Sequence, residues 1–356
     1  MEIRTEELET CPLCGSKDRE VLFTNTDRLH GIPGIFVLNK CTNCSVYFLS
    51  PKPALDDLSR YYPDNYLPHQ TIATASDSQL RNRIRDIIRN TILYEIYHVK
   101  TYTDKSRLKP ALIGKFFSYL MFPVWRYAHY GLQKISSPKY IEGGRVLDIG
   151  CGNGNYLRIL RKFGWNTYGI EPSETAAESG RKQFGLNIVT GTILDYKFPD
   201  NYFHVISMNH VLEHLHNPVQ VLTEIKRIVR TDGTIAIRTP NMDSFGYKIF
   251  GKNWLHIDTP RHLMLYSKDS FSWLCKKVGL DIQYFDTAPG SNVLASSLEY
   301  ARRDKKGLQD TGIRNTYLLS QKVYSAILNL IEKVLIALGS PAGDELQVVI
   351  KKTGDL

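Results

Sequence analysis

The stretch "RVLDIGCGNGNYLRILRKFGWNTYGIE", residues 145–171, decides the fold. It opens with residues 145–149, whose apolar members Val146, Leu147 and Ile149 are typical of a buried strand. Three glycines follow at alternate positions: Gly150, Gly152 and Gly154. Residues 156–163 then repeat apolar side chains at helical spacing. The stretch therefore predicts a strand, a glycine turn and a helix.

The glycine turn has the features of a ligand site. Glycines allow backbone N–H groups at a helix N-terminus to approach a bound molecule closely. A second predicted strand, 167–170, ends in Glu171, where an acidic side chain can accept hydrogen bonds from both hydroxyls of a ribose. The glycine spacing is G-x-G-x-G rather than the G-x-G-x-x-G of pyrophosphate binders, which disfavours a dinucleotide and hence a dehydrogenase.

Two Cys-x-x-Cys pairs predict a metal site near the start of the chain. Its four candidate ligands are Cys11, Cys14, Cys41 and Cys44. Paired thiolates on two tight turns can converge tetrahedrally on one structural Zn²⁺, and four cysteines leave no position open for catalysis. The alternatives are two disulfides, which a reducing cytosol disfavours, or four unrelated buried thiols.

Length and charge limit the class of protein. A chain of 356 residues can hold about two domains. The sequence shows no leader peptide and no apolar run of the roughly 18 residues that a membrane span needs, so we expect a cytoplasmic protein. Residues 81–140 hold twelve basic and three acidic side chains, a net charge of +9 that equals that of the whole chain. Such a segment suggests a phosphate-bearing substrate, an acidic lipid surface or nucleic acid as partner.

Three stretches resemble the class I S-adenosylmethionine-dependent methyltransferases. They are "VLDIGCGNG" at 146–154, "YGIEPS" at 168–173 and "FPDNYFHVISMNHVLEHLHNPVQVLTEIKRIVRTDGTIAIRTPN" at 198–241. The similarity covers about residues 141–300 and recurs at "ELQVVIKK", residues 345–352. The resemblance implies a Rossmann-like α/β sheet of seven strands with the last strand antiparallel, and S-adenosylmethionine as cofactor.

The same resemblance assigns the cofactor-binding residues. They are Asp148, Gly150, Cys151, Gly152, Gly154, Glu171, Pro172, Thr192, Ile193 and Asn209. By the resemblance, backbone around Gly150 and Gly152 holds the methionine portion and Glu171 holds the ribose. Thr192 and Ile193 would border the adenine, with Asp195 as a substitute. Asn209 would close over the cofactor, and Asp148 would anchor the glycine turn or the amino group.

Further stretches are similar to zinc-ribbon methyltransferases of bacterial sugar, surface polysaccharide and glycolipid biosynthesis. They are "CPLCG" at 11–15, "CTNCSVYFLSPKPALDDLSRYYPDNY" at 41–66 and "TPRHLMLYSKDSFSWLCKKVGL" at 259–280. The resemblance implies a zinc lobe and linker at 1–66, a basic helical insertion at 67–140 and a methyltransferase domain at 141–356, which ends with an apolar helix at 316–338. It also implies a sugar nucleotide, a lipid-linked glycan or a related metabolite as acceptor.

Four residues are candidates for catalysis. Methyl transfer from a sulfonium is an in-line displacement, so the protein mainly aligns the acceptor and removes its proton. His210, Glu213 and His214 follow the predicted fourth strand, and His262 lies in a long loop after the fifth. Any of the histidines, or Glu213, can serve as base, or they can hold loops by hydrogen bonds alone. Arg261 would suit a phosphate of the acceptor.

Two alternatives to a small-molecule methyltransferase remain. One is an RNA methyltransferase that docks nucleic acid on its zinc lobe and basic segment, although the fourth strand lacks the Asp/Asn-Pro-Pro-Tyr of adenine-N6 enzymes. The other is a scaffold of the same fold without catalysis. Independently, the apolar stretches 116–131 and 316–338 either pack on the core or rest peripherally on anionic headgroups at the inner face of the membrane. The sequence does not predict an oligomeric state.

Overall fold

The computed structural model describes residues 3–62, 141–290, 292–307 and 319–353, together with helical positions 116 and 120. The rest of the predicted basic insertion, with most of the apolar stretch 116–131, lies outside the described residues. The division of the chain at residues 66 and 140 therefore stays a prediction.

The described part of the chain contains these strands: β1 (Thr5–Glu6), β2 (Arg19–Asn25), β3 (Phe36–Cys41), β4 (Tyr47–Leu49), β5 (Lys52–Pro53), β6 (Arg145–Ile149), β7 (Asn166–Glu171), β8 (Asn187–Thr190), β9 (Phe203–Asn209), β10 (Val229–Pro240), β11 (Met264–Leu265), β12 (Leu280–Ala288) and β13 (Glu345–Lys352). Its α-helices are α1 (Asn155–Lys162), α2 (Glu174–Phe184), α3 (Pro218–Ile228), α4 (Phe245–Phe250), α5 (Lys268–Val278), α6 (Val293–Lys305) and α7 (Leu319–Ala337). Short 3-10 helices lie at Leu55–Tyr61, Ile193–Asp195, Leu212–His214, Gly251–Asn253 and Leu255–Ile257.

Seven strands form the main sheet, in the order β12-β13-β10-β9-β6-β7-β8. β6 and β7 pair in parallel, as do β7 and β8. β12 and β13 pair antiparallel, with Leu280 opposite Lys352 and Ala288 opposite Glu345. The predicted Rossmann-like α/β sheet of seven strands, with the last strand antiparallel, is confirmed.

The glycine turn ends one strand and starts one helix, as the sequence predicts. β6 is almost entirely buried, and α1 begins directly after Gly154, whose φ of 76° is left-handed. A Cβ at Gly154 would lie 2.4 Å from Cδ1 of Leu186, so both backbone conformation and packing require glycine there. Leu157 of α1 packs with Leu186 and Ile188 in one apolar cluster.

The contacts divide the chain into two units. The first unit comprises residues 1–65, 208–227 and 236–356, and the second comprises residues 66–207 and 228–235. The glycine turn belongs to the second unit. The four N-terminal cysteines and all four candidate catalytic residues belong to the first.

A second sheet in the first unit has the order β11-β4-β3-β2. β3 and β4 pair antiparallel, and β11, from far along the chain, pairs with β4 by placing Met264 opposite Phe48. The core of this unit includes the fully buried side chains of Phe36 and Trp254. The predicted apolar helix at the C-terminal end appears as α7. Within the described ranges, no helix is both long enough and apolar enough to cross a membrane.

Candidate functional site

The backbone of the glycine turn adopts conformations that glycine tolerates better than other residues. Gly150, Gly152 and Gly154 all have positive φ, at 68°, 55° and 76°. The N–H groups of Gly150 and Cys151 both donate to the carbonyl oxygen of Ile170, at 2.8 and 3.1 Å, which ties the turn to β7. The turn is therefore hydrogen-bonded to the neighbouring parallel strand within the second unit.

Glu171, at the end of β7, reaches back to this turn. Its Oε2 accepts a hydrogen bond of 2.8 Å from the N–H of Gly152, and its Oε1 accepts one of 2.9 Å from the N–H of Ser173. Glu171 is 6% exposed, so its carboxylate is fixed by these contacts. An ionised carboxylate has about four lone-pair sites, which leaves acceptor capacity for the hydroxyls of a ribose.

Two other predicted cofactor residues are buried beside the turn. Asp148 accepts a hydrogen bond of 2.6 Å from the hydroxyl of Ser207. The thiol of Cys151 packs in the apolar cluster with Leu157, and burial raises its pKa. Any contact of Cys151 with a cofactor would therefore be made by its backbone rather than by its sulfur.

The remaining predicted cofactor residues lie at the ends of β7, β8 and β9. Pro172 is exposed directly after Glu171. The N–H and hydroxyl of Thr192 both donate to Oδ2 of Asp195, at 2.7 and 2.8 Å, so Asp195 caps the short 3-10 helix that Ile193 begins. The side chain of Ile193 is buried, while Asn209 is the last residue of β9 and is partly exposed.

The four N-terminal cysteines converge. Sγ of Cys11 lies 3.6 Å from Sγ of Cys44, and Sγ of Cys14 lies 3.5 Å from Sγ of Cys41. All four sulfurs lie within 4.8 Å of one another, and none forms a disulfide. Tetrahedral zinc with bonds of about 2.3 Å places its sulfurs about 3.8 Å apart, so the four thiols fit this metal.

Two matching turns produce this arrangement. The N–H of Gly15 donates to the carbonyl of Cys11 at 2.9 Å, and the N–H of Ser45 donates to the carbonyl of Cys41 at 3.0 Å. Gly15 and Ser45 both have positive φ. Each turn therefore directs two sulfurs to the same side.

The candidate catalytic residues form one cluster in the first unit, which we call the histidine–glutamate cluster: His210, Glu213, His214 and His262. Nδ1 of His210 lies 3.2 Å from Oε1 of the fully buried Glu213. The rings of His214 and His262 meet edge to face with centroids 4.8 Å apart. Residues separated by about 50 positions in sequence thus lie side by side.

His210 lies between two carboxylates and has a φ of 54°. Its Nε2 is 3.3 Å from Oε1 of Glu345, opposite its contact with Glu213. Burial alone would lower the pKa of His210, but the hydrogen bonds to Glu213 and Glu345 raise it to about 10. At neutral pH this imidazole is therefore positively charged and has no lone pair with which to accept a proton.

The Nδ1 atoms of His214 and His262 contact backbone carbonyls rather than carboxylates. Nδ1 of His262 lies 2.7 Å from the carbonyl oxygen of His256, and Nδ1 of His214 lies 2.9 Å from that of Arg261. Burial and the neighbouring His262 lower the pKa of His214 to about 4, so His214 is neutral at neutral pH. A neutral ring whose Nδ1 donates to a carbonyl keeps its lone pair on Nε2.

Arg261 does not fit the expectation of a phosphate contact, and that expectation is wrong. Its side chain is fully buried. Nη2 donates to Oδ1 of Asp27 at 2.7 Å and to Oδ1 of Asp258 at 2.6 Å, and Nη1 donates to the carbonyl of Tyr61 at 3.2 Å. Internal carboxylates occupy the guanidinium, which leaves it no exposed face for a ligand.

Sequence reasoning missed several partners of the cluster. Glu345, the first residue of β13, contacts His210 and also forms an ion pair with Arg238. Thr239 of β10 donates a hydrogen bond of 2.8 Å to Oε2 of Glu213. The one available signal was Glu345, the only acidic residue of the stretch "ELQVVIKK".

Comparison with known proteins identifies one domain. A family model described as a methyltransferase domain matches residues 125–284. An uncharacterised methyltransferase of Schizosaccharomyces pombe is 31% identical over 119 residues, which cover 29% of this chain and 43% of the relative. A ubiquinone biosynthesis O-methyltransferase of Cereibacter sphaeroides is 28% identical over 158 residues, which cover 41% of this chain and 64% of the relative.

The matched part spans less than two thirds of these two curated relatives. Among solved structures, a chain of the complex between the Haloferax volcanii Trm112 methyltransferase activator and a methyltransferase has a TM-score of 0.44 and 17% identity. That match covers 65% of this chain and 92% of the other. The family match confirms a methyltransferase domain in the region where the sequence motifs predict one, and the predicted bounds of 141–356 stay a prediction.

Proposed function

We propose that this protein transfers a methyl group from S-adenosylmethionine to a hydroxyl of a small-molecule acceptor. The premise is the methyltransferase domain at residues 125–284. The observation that carries the proposal is the pair of hydrogen bonds that Glu171 accepts from the N–H groups of Gly152 and Ser173. They fix a carboxylate beside a glycine turn at the end of adjacent parallel strands, which is where open α/β sheets bind nucleoside ligands.

Different residues around the glycine turn bind different parts of the cofactor. S-adenosylmethionine supplies the electrophilic methyl group on its sulfonium. Glu171 accepts the hydroxyls of the ribose, and the backbone around Gly150 and Gly152 holds the methionine portion. Asp148, fixed by Ser207, anchors the turn or binds the amino group.

Calorimetric titration of S-adenosylmethionine into the purified full chain tests the cofactor assignment. Glu171→Ala should weaken binding at least tenfold, because it removes both the ribose acceptor and the contact that orders the turn. Glu178→Ala is the matched control, since Glu178 is a half-exposed carboxylate on α2 whose contact is a surface ion pair with Lys182. Equal binding by wild type and Glu171→Ala, or binding of NAD in preference to S-adenosylmethionine, would refute the assignment.

We assign removal of the acceptor proton to the histidine–glutamate cluster. A sugar nucleotide, a lipid-linked glycan or a related metabolite is the acceptor class, which the resemblance to zinc-ribbon methyltransferases supports. The match to ubiquinone biosynthesis O-methyltransferases supports oxygen as the methylated atom. The reaction breaks the S–CH₃ bond, forms an O–CH₃ bond and releases the hydroxyl proton.

Transfer of labelled methyl groups to sugar nucleotides, polyprenyl-linked sugars and a short RNA tests the acceptor class. His214→Ala should reduce turnover by 10²-fold or more, the typical effect of losing a proton-transfer group. His216→Ala is the control, because His216 lies two residues away but contacts the carbonyl of Pro53 instead of the cluster. Methylation of the RNA alone would favour the alternative of an RNA methyltransferase.

We further propose that the four cysteines hold a structural zinc ion and that α7 rests on an anionic membrane surface. Val323, Ile327, Leu330 and Val334 lie on one face of α7 at exposures of 53%, 50%, 62% and 49%. Exposed lysines on the same helix suit anionic headgroups. Sedimentation with vesicles of phosphatidylglycerol at low salt should recover the wild-type protein, and Leu330→Glu should weaken that recovery. Failure of the wild type to sediment would refute the membrane contact.

A further inference from the structure

Three members of the histidine–glutamate cluster have the composition of a metal site. Glu213, His214 and His262 each offer one ligand atom, and these atoms lie within 4.8 Å of one another. Glu213 is fully buried and His262 is 6% exposed. Two imidazoles and one carboxylate are a ligand set that proteins use for divalent zinc and iron at catalytic centres.

Both imidazoles use Nδ1 to contact a backbone carbonyl oxygen. A carbonyl oxygen can only accept a hydrogen bond, so Nδ1 of His262 must donate to His256 and Nδ1 of His214 must donate to Arg261. The hydroxyl oxygen of Tyr62, 2.8 Å from Nδ1 of His214, can accept from the same N–H group. Metal-binding histidines characteristically donate their other ring N–H to a carbonyl or carboxylate in this way.

The opposite nitrogens of the two rings are left without a hydrogen-bond partner among the described residues. Nε2 of His262 lies 3.9 Å from Oδ2 of Asp258, which is beyond hydrogen-bond distance. In the neutral ring, a histidine that donates from Nδ1 carries on Nε2 a lone pair that a cation can use.

The carboxylate of Glu213 is also fixed from outside. Thr239 donates to its Oε2 at 2.8 Å, and His210 contacts its Oε1 at 3.2 Å. Each carboxylate oxygen retains a second lone pair after these contacts. Partners that orient a ligating carboxylate are as typical of metal centres as the ligands themselves.

We propose that Glu213, His214 and His262 bind a divalent transition-metal ion, distinct from the zinc ion at the four cysteines. Tetrahedral ligands about 2.0–2.2 Å from such an ion lie about 3.3–3.6 Å apart, so modest side-chain movement closes the site. Three protein ligands leave a coordination position open for an oxygen atom. The role that follows, which rests on the proposed function, is to coordinate the acceptor hydroxyl and lower its pKa, which is how the histidine–glutamate cluster promotes loss of its proton before the O–CH₃ bond forms.

Cobalt substitution can distinguish the two sites in the full chain. Thiolate ligands give Co²⁺ intense charge-transfer absorption, whereas an imidazole–carboxylate site does not. Protein stripped of metal and titrated with Co²⁺ should bind two equivalents, of which one gives the thiolate signal. His262→Gln and Glu213→Gln should each retain the thiolate signal and lose the second equivalent, or bind it at least tenfold more weakly.

Matched controls separate loss of metal from loss of fold. His216→Gln should keep both equivalents, and Cys14→Ser should weaken the thiolate signal while leaving the second equivalent. S-adenosylmethionine titration of each variant reports whether the second unit is intact. Binding of a single equivalent by wild type, or of two by both His262→Gln and Glu213→Gln, would overturn the metal proposal. Absence of S-adenosylmethionine binding by wild type would instead overturn the proposed function and leave the cobalt result standing.

Discussion

Replacing Arg261 with Met should destabilise the protein more than any ordinary surface substitution. The guanidinium is 0% exposed and pairs with Asp27, also 0% exposed, and with Asp258, 16% exposed. Removal of one partner from a buried ion pair costs about 3–5 kcal/mol, because the remaining charge is left uncompensated. Two carboxylates lose their partner here, so we expect a loss at or above the upper end of that range.

Urea unfolding of the full chain, followed by far-ultraviolet circular dichroism, measures this loss. With a slope of about 3 kcal/mol per molar urea, a loss of about 5 kcal/mol moves the midpoint down by roughly 1.7 M. Arg4→Met is the matched control, since Arg4 pairs with Asp57 while its side chain is 65% exposed, and such pairs contribute about 0–1 kcal/mol. If the two variants shift the midpoint equally, the reasoning from burial is refuted.

Three further predictions concern other parts of the molecule. Gly154→Ala should lower the free energy of unfolding by about 1–3 kcal/mol more than Gly143→Ala. Both glycines have positive φ, but only at Gly154 would an added Cβ lie 2.4 Å from a neighbouring side-chain atom. Equal urea midpoints for the two variants would contradict this. Chelation of zinc should lower the melting temperature by several degrees, measured by calorimetry, and an unchanged melting temperature would argue against a structural ion at the cysteines. Burial and the neighbouring Asp344 raise the pKa of Glu332 to about 8, and burial raises the pKa of Asp344 to about 7. Both carboxyls then bind protons more tightly in the folded chain, so unfolding free energy should fall as the pH rises from about 4 to 8, and Glu332→Gln should flatten this slope in urea titrations at each pH.

The main sheet could be predicted because its signals are local. The strand at 145–149, the glycine turn and α1 lie within about twenty residues, and each turn residue has a conformation that glycine adopts readily. The cysteine cluster could be predicted for the same reason, because two short turns of fixed spacing direct the sulfurs. In both cases, the residues that determine the local structure are close together in the sequence.

The surroundings of the candidate catalytic residues could not be predicted in the same way. The contact of His210 with Glu345 depends on which strands become neighbours in the sheet, and these residues are more than a hundred positions apart. The same holds for Arg261, whose partner Asp27 lies 234 positions away. An arginine beside histidines resembles a phosphate site until its long-range carboxylate partners are known.

Because β11 pairs with β4, the N-terminal lobe cannot be exchanged between proteins as an independent segment. Met264 and Leu265 complete a sheet whose other strands come from the first 49 residues, and His262 lies just before them. A chimera in which a foreign lobe replaces residues 1–62 would remove β4, so Met264 and Leu265 would lose their native pairing strand. Recombination between homologous proteins at this boundary should therefore succeed only when the short strand after His262 is exchanged together with the lobe.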